Sequence, residues 1–213
     1  MDSDKEIPQS AVHKLLSHLA KWQSITPRLV VGIEGYSGAG KTTLVKEIVA
    51  TMPAVLVHMD EFQVSDNERK RLEHSLPHKK DIFVQKYRFG VLRDLVEKFR
   101  DGQRSAKHDL VDPDADARHQ QTFLFDANLL IIDGIWLSNS DRLPSVFDKI
   151  VFLDIDPAIA DHRRRQREGQ RWGADAWEET HPDSYIKQYK LAHDEYMERY
   201  KPRQHAALVL KVG

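Results

Sequence analysis

The stretch that decides the fold runs from Arg28 to Ala50 and reads RLVVGIEGYSGAGKTTLVKEIVA. Its first part, Leu29 to Ile33, is a short apolar run rich in β-branched residues, which is typical of a buried parallel strand. Glycines follow, and then a lysine opens a pattern of helical spacing from about Lys41 to Met52. A strand joined to a helix by a glycine-rich turn that ends in lysine predicts a loop that wraps around phosphate.

The turn fits the P-loop pattern G-x-x-x-x-G-K-[ST] at every fixed position. Glycine lets the backbone approach an anion with its N–H groups pointing inward, and the positive end of the following helix faces the same anion. Lys41 can reach the β- and γ-phosphates of a nucleotide, and the Thr42 hydroxyl can hold Mg²⁺. The residues predicted to hold ATP are Gly35, Ser37, Gly38, Ala39, Gly40, Lys41, Thr42 and Thr43.

Composition limits the class of protein. The chain has 213 residues, of which 40% are hydrophobic and 31% charged, as expected for one α/β domain. The net charge of −1 lacks the basic excess of a nucleic-acid binder, no apolar run is long enough to span a membrane, and there is no cysteine for a disulfide framework. We therefore predict a cytoplasmic protein that binds neither nucleic acid nor membrane, and a homo-oligomer is left open.

Apolar runs and helical patterns alternate along the rest of the chain. Further strands are predicted at Ala54 to Asp60, Leu129 to Ile132, Lys149 to Ile155 and Ala206 to Leu210. The alternation predicts an α/β fold of the P-loop NTPase type, with a parallel sheet of about five strands and helices on both faces. We expect a single domain over residues 1–213, with an N-terminal helix at about 7–25, a core at 28–210 and a lid at about 160–175.

Two polar segments interrupt the alternation; the first is predicted to be flexible or to depend on substrate, and the second is predicted to be a loop. One follows Asp60 and is interrupted by Pro77, and the other, HDLVDPDADARHQQ, begins at His108 and contains Pro113 and four aspartates. Between them a continuous helix is predicted from Asp81 to Arg100, because its apolar residues recur on one side.

Two predicted strands end on carboxylates. Ligands of open α/β sheets bind at the carboxyl ends of the strands, so Asp60 and Asp133 should face the same cleft as Lys41. Asp60 could accept the proton of a substrate hydroxyl, and Glu61 beside it could assist with metal or substrate. Asp133 ends the apolar run LLIID, which is the Walker-B arrangement for holding Mg²⁺. Asp60 could instead cap a helix or form a structural salt bridge, and Asp133 could cap a strand-to-loop turn.

A basic stretch, HRRRQREGQR, begins at His162. If it is helical, Arg163 and Arg167 lie one turn apart on one face, where an anionic partner would relieve the repulsion between like charges. A lid that closes these arginines over a transferring phosphoryl group is one interpretation, and a solvated basic face is the other.

The size and the motifs favour a small-molecule kinase among P-loop proteins. A GTPase would carry an N/T-K-x-D guanine-reading sequence, which this chain lacks, and 213 residues leave little room for the coupling machinery of a motor. Two alternatives stay open. One is a P-loop ATPase that acts as a nucleotide-dependent regulatory or binding module, and the other is a nucleoside monophosphate kinase.

From about Arg28 to Leu210 the chain resembles the uridine kinase / phosphoribulokinase-like P-loop kinases. The segments GYSGAGKTT, HMDEF, LLIIDGIWL and VFLDIDPAIADHRRRQRE follow the order of that family. The resemblance implies ATP- and Mg²⁺-dependent phosphorylation of a hydroxyl on a nucleoside-, vitamin- or sugar-like metabolite. It implies that Asp60 is the catalytic aspartate and that Arg163 and Arg167 belong to the lid. It also implies acceptor contacts for Asp109 and Arg118.

Overall fold

The computed structural model describes residues 7–112, 116–172 and 184–212, with side chains for all of these except 168–172. Residues 173–175 of the predicted lid therefore lie outside the described residues. The strands are β1 (Leu29–Gly35), β2 (Val55–His58), β3 (Ser105–Val111), β4 (Arg118–Leu124), β5 (Leu129–Gly134), β6 (Lys149–Asp154) and β7 (Leu208–Lys211).

The helices are distributed between the strands and at the N-terminal end. They are α1 (Gln9–Gln23), α2 (Lys41–Thr51), α3 (Asp66–Ser75), α4 (Ile82–Gln85), α5 (Phe89–Arg100), α6 (Pro157–Trp172), α7 (Tyr185–Tyr200) and α8 (Pro202–His205), with short 3₁₀ turns at Met59–Phe62 and Lys79–Asp81. Among the helices in the described ranges, none combines the length and the apolar character needed to cross a bilayer.

Five strands form one parallel sheet in the order β2-β5-β1-β6-β7, as the alternating pattern predicts. The central strand β1 pairs with β5 on one side and β6 on the other, and all of its residues are buried. A strand with both neighbours and both faces covered needs apolar residues at successive positions, which is the pattern of Leu29 to Ile33. The carboxyl ends of β1, β2 and β5 meet at one edge of the sheet. The predicted phosphate-binding loop, residues 35–42, begins at this edge.

Helices cover both faces of this sheet. Successive side chains of β1 point to opposite faces, so Ile33 and Glu34 mark the two sides. Helix α7 covers the side of Glu34, whose buried carboxylate accepts a hydrogen bond from the Tyr196 hydroxyl. Helix α2 lies against β1, β2 and β5, and Thr42 at its start bonds Asp133, which pairs with Ile33 across the sheet. The predicted α/β layering is therefore confirmed.

The predicted loop that begins at His108 is wrong over residues 108–111 and 118–121, because β3 and β4 form a two-stranded antiparallel sheet. The register joins Val111 to Arg118 and Asp109 to Gln120. Leu110 and Phe123 of this hairpin are buried in the hydrophobic core, although the segment as a whole reads as polar. The hairpin is a sheet separate from the main one, and its strand β3 contacts α5 and the 3₁₀ turn after β2.

The segment after Asp60 and the predicted helix from Asp81 to Arg100 also differ from expectation. The first contains the helix α3, which begins with a capping box in which Ser65 and Glu68 satisfy each other's backbone N–H groups. The second is two helices, α4 and α5, separated at residues 86–88. Tyr87 forms a bridge to Gln63 there, and these tertiary contacts replace the helical hydrogen bonds.

Candidate active site

The phosphate-binding loop has the backbone that its glycines permit. Gly38 and Gly40 have φ angles of 93° and 87°, in the left-handed region that side chains disfavour. A Cβ at Gly38 would lie 2.4 Å from the carbonyl oxygen of Ala160 in α6, so only glycine fits between the two segments. Gly40 is the residue immediately before α2, and the loop therefore delivers its N–H groups at a helix N-terminus.

Lys41 lies beneath this loop. Its ammonium donates to the carbonyl oxygens of Gly35 at 2.9 Å and Tyr36 at 3.1 Å. Burial lowers the pKa of Lys41, while the negative charges of Asp133 and Asp60 act in the opposite direction. A buried cation whose hydrogen bonds to the described residues go to carbonyl oxygens can bind an anion such as phosphate.

The end of β5 holds a hydrogen-bonded group of three side chains. The Thr42 hydroxyl donates to Asp133 Oδ2 at 3.1 Å, and His58 Nδ1 lies 2.5 Å from Asp133 Oδ1. Asp133 is only 4% exposed. The hydrogen bond to Asp133 raises the pKa of His58, although burial of the ring opposes this effect.

Asp60 lies in the 3₁₀ turn that follows β2, and two side chains hold it. The Tyr87 hydroxyl donates to Asp60 Oδ1 at 2.8 Å, and Gln63 Nε2 donates to the same oxygen at 3.3 Å. Burial, and then the charge of Asp60, raise the pKa of the Tyr87 hydroxyl, so it stays protonated and donates. The break between α4 and α5 is what brings Tyr87 to this position.

The part of the cleft beyond Asp60 is acidic. Glu61 follows Asp60, and the β3–β4 hairpin adds Asp112 and His119. Burial raises the pKa of Glu61, and the nearby His58 and His119 lower it. This side of the cleft thus contains three carboxylates and two imidazoles.

The basic stretch is helical, as predicted, and its arginines point in two directions. Arg163 and Arg167 line the cleft, and Arg167 Nη2 donates to the Ser37 hydroxyl at 3.3 Å. Arg164 is 1% exposed and stacks on Tyr189 of α7, with its guanidinium carbon 3.7 Å from the ring centroid. The stacking of Arg164 on Tyr189 fixes how α6 is rotated about its axis. With this rotation, Arg163 and Arg167 face the phosphate-binding loop.

These groups line one open cleft of about 810 Å³. Most of the residues predicted from the sequence for nucleotide, metal and catalysis line it, namely Ser37, Gly38, Gly40, Lys41, Thr42, Thr43, Asp60, Glu61, Asp133, Arg163 and Arg167. Gly35 and Ala39 are buried in the loop, where a Cβ at Gly35 would lie 2.9 Å from the Leu153 carbonyl oxygen.

The two residues predicted to contact the acceptor are not among those that line the cleft. Asp109 is an exposed residue of β3 that receives a hydrogen bond from Gln120 at 3.4 Å, and Arg118 pairs with Glu68 at 2.9 Å. Their assignment to the acceptor stays a prediction. Asp112 and His119, which do line the cleft, are their neighbours in the hairpin and have no motif of their own in the sequence.

The donor set suits Mg²⁺. Thr42 Oγ1 and the buried carboxylate of Asp133 are hard oxygen ligands that lie next to the phosphate-binding loop. Mg²⁺ usually takes one or two protein oxygens and completes its shell with phosphate and water. In the part of the chain with described placement, no three or more His, Cys, Asp or Glu residues form a metal-ligating group.

The glycine-rich loop at the end of a parallel strand, with Lys41 at the start of the following helix, is the arrangement of a P-loop protein. The chain belongs to the Phosphoribulokinase / Uridine kinase family, whose model matches residues 30–212. It is therefore a kinase, a phosphotransferase that acts on a hydroxyl group. The resemblance inferred from the motifs is confirmed.

Curated relatives and solved structures agree with this family. The chain is 24% identical to a uridine kinase of Lactobacillus johnsonii over 197 residues, which is 87% of each protein. It is 26% identical to a uridine kinase of Leuconostoc citreum over 156 residues, or 66% of this chain and 68% of the relative. A possible uridine kinase of Bacillus stearothermophilus shares the fold with a TM-score of 0.71 at 22% identity, over 95% of this chain and 98% of that one.

Proposed function

We propose that this kinase transfers the γ-phosphoryl group of ATP to a hydroxyl of a nucleoside-like or sugar-like metabolite, with Mg²⁺ held at Thr42 and Asp133. The observation that carries the proposal is that Lys41 and Asp60 line the same cleft, close enough for the charge of Asp60 to affect the pKa of Lys41. One group suits the phosphates and the other suits the attacking alcohol.

The phosphate side acts mainly by position and charge. The backbone N–H groups of the loop and the start of α2 bind the phosphate oxygens, and Lys41 exchanges its carbonyl partners for the β- and γ-phosphates. Thr42 and Asp133 would hold Mg²⁺, which would supply positive charge that offsets the charge of the phosphates. Arg163 and Arg167 approach from α6 and stabilise the charge that spreads over the transferring group.

On the acceptor side, Asp60 orients the attacking hydroxyl. Tyr87 and Gln63 both donate to Oδ1, and among the described residues no donor bonds Oδ2, which can accept the hydrogen bond of the alcohol. Phosphoryl transfer passes through a loose transition state that needs little early proton abstraction, so the alignment of the alcohol with phosphorus is the larger contribution of Asp60. The proton passes to this carboxylate as the new P–O bond forms and the bond between the γ-phosphorus and the bridging oxygen of the β-phosphate breaks, with ADP as the leaving group.

The charges of the cleft favour an acceptor without a phosphate group. The described residues on the acceptor side are the carboxylates of Asp60, Glu61 and Asp112 and the imidazoles of His58 and His119. The described lysine and arginine side chains of the cleft belong instead to the start of α2 and to α6. A nucleoside monophosphate would bring its dianion next to three carboxylates, and this repulsion disfavours it. Uncharged ribose or sugar hydroxyls can instead donate hydrogen bonds to the same groups.

The test is acceptor-dependent release of ADP. Purified protein is incubated with ATP and Mg²⁺ and with nucleosides, free sugars, nucleoside monophosphates and sugar phosphates, each uncharged compound being paired with its phosphorylated counterpart. We expect ADP release that depends on an uncharged member of a pair, and loss of that release in Lys41→Ala. Slow ADP release that no acceptor changes would favour a regulatory ATPase, and a preference for monophosphates would favour the monophosphate kinase.

A further inference from the structure

The segment that precedes α1 contacts the phosphate-binding loop. Ile7 is 6% exposed, and a Cβ built on Gly40 would lie 2.7 Å from Ile7 Cδ1. The isoleucine side chain therefore occupies the space that a side chain at residue 40 would need. Gly40 has a φ of 87° and directly precedes α2, so Ile7 packs against the point at which the loop becomes the helix.

Ile7 is held in place by the helix that follows it. Helix α1 begins after Pro8, whose carbonyl oxygen accepts from the Ala11 amide at 2.8 Å. The buried face of α1 contacts α2, and its members belong to the hydrophobic core, namely Ala11, Val12, Leu15 and Leu19. Neither Ile7 nor α1 lies within residues 30–212, which the family model matches.

The two glycines of the loop with positive φ thus each touch a separate part of the protein. Gly38 abuts the Ala160 carbonyl oxygen at the start of α6, and Gly40 abuts Ile7. A glycine-rich loop loses much conformational entropy when it is ordered. If folding has already ordered the loop, ligand binding does not have to offset that loss. A contact that orders the loop beforehand therefore strengthens triphosphate binding without touching the triphosphate.

We infer that Ile7 is a positioning residue for ATP: it packs on Gly40 and holds the phosphate-binding loop in its binding conformation. The inference rests on the proposed use of ATP. It assigns to the N-terminal segment a role in nucleotide affinity in addition to its contribution to the hydrophobic core. Because Ile7 packs on the loop and not on the acceptor side of the cleft, its effect should be confined to the nucleotide.

The experiment compares Ile7→Ala with Ile7→Val and with Leu19→Ala, a matched control at the other end of α1. The Kd of a non-hydrolysable ATP analogue with Mg²⁺ is measured by calorimetry, and Tm is measured without nucleotide. We expect Ile7→Ala to weaken binding about five- to tenfold and Ile7→Val to stay within about twofold of the original chain, since most of the packing remains. Leu19→Ala should lower Tm and leave Kd unchanged.

Two results would overturn the inference. One is an unchanged Kd in Ile7→Ala, and the other is an equal increase of Kd in Ile7→Ala and Leu19→Ala, which would show general destabilisation. If the unaltered protein does not bind the analogue, the proposed function is wrong. If the unaltered protein binds it and Ile7→Ala binds it equally well, only the inference about Ile7 is wrong.

Discussion

The guanidinium of Arg164 stacks on the ring of Tyr189 at 3.7 Å, and the hydroxyl oxygen of the same tyrosine accepts a hydrogen bond from the Ser37 amide at 3.3 Å. Tyr189 therefore contacts both the helix that carries the cleft arginines and the loop that binds phosphate. A shift of either partner changes the distance between Arg167 and the loop.

We predict that Tyr189→Leu lowers kcat/KM for ATP about tenfold, because loss of the ring releases Arg164 and misplaces its neighbours on α6. Tyr189→Phe keeps the ring and removes only one hydrogen bond, and its effect should be about threefold or less. Steady-state kinetics with varied ATP measure both. Tyr200→Phe, which removes a hydrogen bond to Asp141 on the surface, is the matched control and should not change these constants. Equal effects of the Leu and Phe variants would argue against the stacking role.

A second prediction concerns Asp60. Asp60→Asn should lower kcat about 10²- to 10⁴-fold, because the amide cannot accept the alcohol proton and orients the alcohol poorly. The Kd of an ATP analogue should stay within about twofold, since Lys41 and the loop are intact. Rapid-quench or coupled assays give kcat, and calorimetry gives Kd. Asp126→Asn, at an exposed aspartate between β4 and β5, should leave both values unchanged.

A smaller effect is expected when only the support of Asp60 is removed. Tyr87→Phe keeps the buried ring and deletes the donor to Asp60 Oδ1, so kcat should fall about tenfold or less. A decrease as large as that of Asp60→Asn would mean that Tyr87 itself touches the reacting groups.

The third prediction is a pH dependence of stability that arises from His58. Its pKa is raised by the hydrogen bond to Asp133, so the folded chain keeps this proton at a higher pH than the unfolded chain. The stabilisation is fully present below the ordinary histidine pKa of about 6.5 and is lost as the pH rises through the folded value. Relative to His58→Gln, the protein should therefore be more stable at pH 6 than at pH 9.

Urea unfolding at the two pH values, without nucleotide or Mg²⁺, measures this difference. Because the His58 side chain is 34% exposed, we expect about 1 kcal/mol or less. His205→Gln, at an exposed histidine that contacts the Tyr200 carbonyl oxygen, provides the comparison. If the free energy of unfolding of the protein, relative to that of His58→Gln, increased with rising pH, the prediction would be wrong.

The core of the fold could be predicted from the sequence because its signals are local. The run Leu29 to Ile33 is apolar at successive positions, and the glycines and Lys41 follow in the spacing that a phosphate-binding loop requires. Each of the five parallel strands is a short apolar segment. The strand-end acids follow directly, since the carboxyl ends of parallel strands share one edge of the sheet.

The parts that could not be predicted depend on contacts between distant segments. No glycine or proline marks the break at Tyr87, which forms because that residue pairs with Gln63 and bonds Asp60. The β3–β4 hairpin is polar because one side is exposed, and its buried apolar residues are few, namely Ala106, Leu110, Val111 and Phe123. The register of the two strands decides which hairpin residues face the cleft. The sequence alone does not give that register, so it does not indicate these residues.

The last prediction concerns which hairpin residues contact the acceptor, because the family resemblance and the cleft lining point to different ones. Asp112 and His119 line the cleft, whereas Asp109 and Arg118 lie in the same hairpin outside the lining. If the hairpin binds the acceptor through its cleft-facing residues, Asp112→Asn and His119→Gln should raise KM for the acceptor about tenfold, with KM for ATP unchanged.

Asp109→Asn and Arg118→Gln are the controls, because one changes an acidic and the other a basic side chain of the same hairpin, and neither side chain lines the cleft. Kinetics with the acceptor found by ADP release, varied at saturating ATP, compare the four variants directly. A larger effect of the Asp109 and Arg118 variants would mean that the hairpin moves toward the nucleotide when the acceptor binds. The acceptor contacts implied by the family resemblance would then be right, and those read from the cleft lining would be wrong.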